Sequence, residues 1–209
     1  MLEDIREAGK FDIKVSGYKV NFPAIVRKVN KIVDDDSKEI EKGIRSDKNS
    51  TLYKVRGKFV GNKILQVGKE TITADKIFIA AGTRSFNPPI KGLDKVKYLT
   101  STEALRLKKL PKSMIIIGGG YIAAELAHFF GTLGCKLTII QRNTRLVPNV
   151  DEEVAEKFTN IMSKKNKVIL NHEVIEVRKK GSKIEVLANG IGSKKMERFI
   201  ADSLLLAVG

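Results

Sequence analysis

An apolar run, Met114-Ile115-Ile116-Ile117, leads straight into Gly118-Gly119-Gly120, and a helical pattern begins at once with Tyr121-Ile122-Ala123-Ala124-Glu125. Few chain paths satisfy that order. A short apolar run ending in glycines reads as a buried strand, and the glycines allow a turn too sharp for residues with side chains. The spacing Gly118-x-Gly120-x-x-Ala123 gives each position a separate task. Gly118 permits the turn, Gly120 leaves room for a pyrophosphate against the backbone, and Ala123 lets the helix lie close to the sheet. Gly119, Tyr121 and Ile122 fill the turn and the first helical positions, where free N–H groups and the positive helix end hold phosphate. A glycine-rich packing turn without a ligand is the competing reading.

The pattern continues as one strand–helix–strand unit: strand 113–117, helix 121–132, a tight turn at Leu133-Gly134, and strand 136–141. This is the mononucleotide-binding unit of a Rossmann-type α/β domain with a parallel sheet. A second helix is expected at 151–164, with acids at its start and lysines at its end. Short strands at 168–170, 174–177 and 183–187 form a β-meander, and a buried strand follows at 203–208. Upstream, residues 21–45 carry a helical apolar stripe (Phe22, Ile25, Val26, Val29, Ile32, Val33) with Pro23 where its missing N–H costs nothing. Residues 51–81 read as meandering strands, and 76–82 as a strand buried on both faces.

Among 209 residues there are 39 Lys and Arg against 24 Asp and Glu, a net charge of +15. That balance raises nucleic acid as a partner. The basic residues are spread over every segment and mixed with acids, so a solvated surface attracting anionic cofactors is the better reading. No apolar stretch approaches the roughly 18–20 residues of a membrane span. Acids at Glu3 and Asp4 leave no apolar signal region, so a cytoplasmic protein is expected. The one cysteine, Cys135, sits between Gly134 and the run 137–140 and reads as structural. With His128 and His172 as the only histidines, no metal site is expected.

Cofactor choice in such a unit is set at the end of the second strand, where an acid about 20 residues past the glycines binds ribose hydroxyls. Here that residue is Gln141, followed by Arg142 and Arg145. The carboxylate that would repel a 2′-phosphate is absent and two guanidinium groups are at hand, which favours NADPH over NADH. Two solvated arginines on a basic surface are the alternative. Glu125 lies near the helix start, where the dipole tolerates an anion.

The chain resembles the pyridine nucleotide-disulfide oxidoreductase family over nearly its whole length. The carrying segments are Thr73-Ala74-Asp75-Lys76-Ile77-Phe78-Ile79-Ala80-Ala81-Gly82-Thr83-Arg84, like the family's TADxIVIATGSRP, Pro88-Pro89-Ile90-Lys91-Gly92, like its crossover, and GGGYIAAE from Gly118 to Glu125. The end, Leu204-Leu205-Leu206-Ala207-Val208-Gly209, resembles the start of LLxAxGRxPN and adds Gly209 as a cofactor-binding position. Mycothione reductase-like members are the most similar around 121–130 and 142–146. Mercuric reductases share an Arg at the Arg142 position, and dihydrolipoamide dehydrogenases carry the acid that Gln141 replaces.

The resemblance implies a partial FAD-binding domain at 1–92, with Gly57, Ala81 and Gly82 lining FAD, and an NAD(P)-binding domain at 93–209. It implies that Tyr121 covers the flavin, that Glu125 pairs with a flavin-side lysine, and that Val174 touches the adenine. It further implies a homodimer that reduces a small-molecule or protein-bound disulfide. The sequence departs from the family in lacking the FAD glycine motif, the redox pair CxxxxC and the closing His-Glu pair. It therefore reads as an internal segment with no catalytic residue of its own, while a stand-alone nucleotide-binding module without redox chemistry is the alternative.

Overall fold

The computed structural model describes residues 1–193 and 195–208. The chain divides into two compact units, one made of 1–27 with 85–209 and one of 28–84.

The smaller unit contains most of helix α2 (Phe22–Ser46) and an antiparallel meander of β1 (Gly57–Gly61), β2 (Ile64–Val67) and β3 (Glu70–Thr73). The expected strand at 76–82 is absent. Phe78 is 90% exposed and Ile79 75%. An apolar run becomes a strand only where partners accept its backbone groups, and no strand among the described residues pairs with it.

The larger unit begins with the short helix α1 (Leu2–Glu7) and the first turns of α2, whose Phe22 packs 6.2 Å from the rings of both Phe129 and Phe130. After the four-residue helix α3 (Ser101–Ala104), capped reciprocally by Thr100 and Glu103, come β4 (Ser113–Ile117), α4 (Tyr121–Thr132), β5 (Lys136–Ile140), α5 (Glu152–Lys165) and β6 (Lys167–Ile169). The antiparallel strands β7 (His172–Lys180), β8 (Lys183–Gly190) and β9 (Met196–Ala201) follow, and β10 (Ser203–Leu206) returns to the parallel sheet.

The parallel sheet has the order β10-β4-β5-β6, so the chain departs from β4 to one side and comes back on the other. That reversal opens a crevice at the carboxyl end of β4. Both faces of the sheet are covered. Met114, Ile116, Ile139 and Leu205 pack on the helical side, while Ile115, Ile117, Ile140, Leu204 and Leu206 pack against the β7–β9 sheet. Two-sided burial is why β4 is a continuous apolar run rather than an alternating one. A mixed α/β architecture with a Rossmann-type parallel sheet agrees with the sequence reading. Strand β9 escaped that reading, because only Phe199 and Ala201 along it are buried. Among the described residues, no helix is long and apolar enough to cross a membrane.

Candidate functional site

The glycine turn joins β4 to α4 at the sheet's reversal point. Gly118 has φ +105°, its N–H donates to the Ile140 carbonyl at 2.9 Å, and a Cβ there would be driven into the carbonyl of Ala207. Gly119 is a contact surface: a Cβ would lie 2.7 Å from Leu146 Cδ2 and 2.9 Å from Gln141 Cδ. Gly120 differs from both. A Cβ on it would meet nothing within 4 Å, so the space before the helix start is open.

Gly120 caps α4 without a side-chain hydrogen bond, and no acid lies in the first turn. The positive end of the helix and its first N–H groups therefore face that open space unneutralised. The helix is held close to the sheet through buried Ala123, Leu126, Ala127 and Phe130. Gly131 serves the same purpose at the far end, where a Cβ would come within 3.2 Å of Leu137. Sequence reasoning missed that position, although a glycine inside a helix facing the sheet is its signal.

Gln141 lies beside the turn, but its side chain is turned inward. It is 6% exposed, its Oε1 accepts from the Arg142 N–H at 3.0 Å, and its Nε2 donates to the Arg145 carbonyl at 3.4 Å. Gln141 thus shapes the loop carrying the two arginines. Arg142 is exposed and makes no ion pair among the described residues, whereas Arg145 pairs with Glu152 in the first turn of α5. Ile122 is half-buried against the core; Tyr121 is 73% exposed and Glu125 is also exposed.

The other expected positions belong to other elements of the chain. Val174 is half-buried in β7 and packs on the core between the two sheets of the larger unit. Gly57, Ala81 and Gly82 belong to the smaller unit; Gly82 has φ +68° with open space where a Cβ would stand. Gly209 lies outside the described residues.

Cys135 is buried, and burial together with the Asp202 carboxylate pushes its thiol up to about 12. A thiol held neutral is a poor nucleophile. His172 ties the start of β7 to its surroundings, with Nδ1 2.6 Å from the Leu170 carbonyl and Nε2 3.4 Å from Glu197. A cavity of about 290 Å³ opens away from the glycine turn, among Glu3, Arg6, His128, Thr132, Lys165 and Asn166. Its charged groups have partners, with Lys165 paired to Glu3 and Arg6 donating to the Thr132 carbonyl.

Comparison with known proteins places these features in context. The family described as pyridine nucleotide-disulphide oxidoreductase matches residues 6–209. A mercuric reductase of Bacillus cereus is 34% identical over 94% of this chain, covering 31% of its own length. Mycothione reductase of Mycobacterium tuberculosis is 31% identical over 98% of the chain and 45% of its own length. Dihydrolipoyl dehydrogenase of Chlamydia trachomatis is 29% identical over the whole chain and 45% of its own length. The chain thus spans less than half the length of these curated relatives. Among solved structures, the HOCl-induced flavoprotein disulfide reductase RclA of Escherichia coli superposes with a TM-score of 0.81 at 27% identity, over 91% of this chain and 43% of that one.

Proposed function

This chain belongs to the pyridine nucleotide-disulphide oxidoreductase family, and from that premise we propose that it is the pyridine-nucleotide-binding part of an FAD-dependent enzyme that transfers electrons from NAD(P)H to a disulfide. The observation that carries this reading is the open space at Gly120, in front of an uncapped helix start and at the reversal point of the parallel sheet. A dinucleotide pyrophosphate has the charge and shape that this cradle accepts.

In this reading residues 93–209 bind the nucleotide, and 1–92 contribute to the FAD domain through Gly57, Ala81 and Gly82. The N–H groups of Gly119, Gly120, Tyr121, Ile122 and Ala123 surround the phosphates. Gln141 positions the loop from which Arg142, and Arg145 in competition with Glu152, meet a 2′-phosphate, so NADPH is the preferred reductant. Tyr121 covers the flavin, Glu125 pairs with a flavin-side lysine, Val174 abuts the adenine, and Gly209 is a further cofactor-binding position. Once bound, NAD(P)H would supply hydride chemistry and FAD the two-electron transfer that reduction of a disulfide requires. The buried neutral Cys135 takes no part. The enzyme acts as a cytoplasmic homodimer on a small-molecule or protein-bound disulfide.

The test uses the natural protein that carries this segment, loaded with FAD. Anaerobic NADPH should bleach the flavin of the unmodified protein and fail to do so in Gly120→Val at the same concentration. Equal bleaching in both would contradict the assignment of the glycine turn.

A further inference from the structure

The residue that clamps the glycine turn is itself in an unfavourable conformation. Val147 has φ +43°, a left-handed backbone that a β-branched side chain resists, and Pro148 pushes the residue before it towards extended geometry. Conformations of this kind persist only where the surroundings over-determine them. Here two neighbours of the knuckle do so. The Val147 N–H donates to the Gly119 carbonyl at 2.6 Å. Leu146, 2% exposed, lays its side chain against Gly119, and its N–H donates to Thr159 Oγ1 at 2.9 Å. Thr159 is itself buried in α5 and donates its hydroxyl to the Ala155 carbonyl at 2.7 Å.

The geometry of a peptide bond says what this clamp accomplishes. In a trans peptide the carbonyl and the following N–H point in opposite directions. Drawing the Gly119 carbonyl towards Val147 therefore turns the Gly120 N–H away from it, and that N–H has no acceptor among the described residues. We propose that Val147 is a positioning residue: the knuckle at 146–147, hung from Thr159, fixes the Gly119–Gly120 peptide so that the Gly120 N–H is presented to the nucleotide pyrophosphate. This rests on the reading of the turn as a pyrophosphate site.

Four variants of this chain test it: Val147→Gly, Thr159→Val, Thr159→Ser and Gly120→Val, each titrated with NADH and NADPH and melted without ligand. Glycine adopts the left-handed backbone freely, so Val147→Gly should melt about 2–4 °C higher. Its affinity for both nucleotides should fall about three- to tenfold, as an oriented hydrogen bond is loosened. Opposite signs are the signature, since a purely structural residue would move stability and affinity together. Thr159→Val should lower affinity by a similar factor, and Thr159→Ser should restore it. Binding by Val147→Gly as tight as that of the unmodified chain, while Gly120→Val has lost it, would overturn the inference alone. Absence of binding by the unmodified chain, or unchanged binding in Gly120→Val, would overturn the pyrophosphate reading and this inference with it.

Discussion

The carbonyl oxygen of Ala207, just past β10, occupies the space that a Cβ on Gly118 would need. The first glycine of the turn is thus required by the fold, because β10 and β4 are adjacent parallel strands whose last residues, Leu206 and Ile117, lie side by side. Gly118→Ala should cost about 3 kcal/mol or more in stability, from the left-handed backbone and the clash together. Gly120→Ala should cost no more than about 1 kcal/mol, the loss expected for alanine at a helix N-cap, since its surroundings are open. Urea unfolding of the two variants provides the comparison.

Cofactor preference should divide unequally between the two arginines. Arg142 is uncommitted among the described residues, while Arg145 is held by Glu152. Charge-assisted hydrogen bonds are worth roughly 1.5–3 kcal/mol, with exposure pulling towards the lower end, so Arg142→Ala should weaken NADPH about tenfold and leave NADH nearly unchanged. Arg145→Ala should have a smaller effect. Gln141→Glu should shift preference towards NADH by supplying a carboxylate, and should also loosen the loop by replacing the donor to the Arg145 carbonyl. Parallel titrations with both nucleotides measure these differences.

Acid stability should depend on Glu176. The Arg178 guanidinium, joined by Lys91, holds its carboxyl down to about 2 from an ordinary 4.5. A group whose folded pKa is depressed contributes stability above its unfolded pKa, and that contribution is lost as pH falls through the folded value. Glu176→Gln should therefore remove part of the stability above about pH 4.5 and flatten its loss between about pH 4.5 and pH 2. Thermal melts across that range show whether the slope changes.

Cys135 should be inert in the folded protein. Its thiol is buried and pushed up to about 12. An aromatic disulfide reagent at neutral pH should label it only after denaturant is added; rapid labelling of the folded chain would show that the thiol is accessible.

The unit from β4 to β5 is legible in the sequence to within a residue, because one apolar run, one glycine cluster and one helical stripe follow in immediate succession. The stretch 76–82 misleads for the opposite reason. Ile77, Phe78 and Ile79 have the composition of a buried strand, but composition carries no information about whether a ladder partner is at hand. Gln141 was legible as a position but not as a conformation, since its inward turn depends on the loop it supports. The knuckle at Val147 and its anchor at Thr159 are invisible in sequence. A left-handed valine violates local preference, and the bonds that hold the knuckle run from Val147 to Gly119 and from Leu146 to Thr159, 28 and 13 positions away.

Whether the glycine turn holds the pyrophosphate of a pyridine nucleotide is decided by calorimetric titration of the chain and its Gly120→Val variant with NADPH and NADH. The unmodified chain should bind both, NADPH more tightly, and the variant should remain folded and show no detectable binding. Equal affinity in a folded Gly120→Val variant would contradict the pyrophosphate assignment.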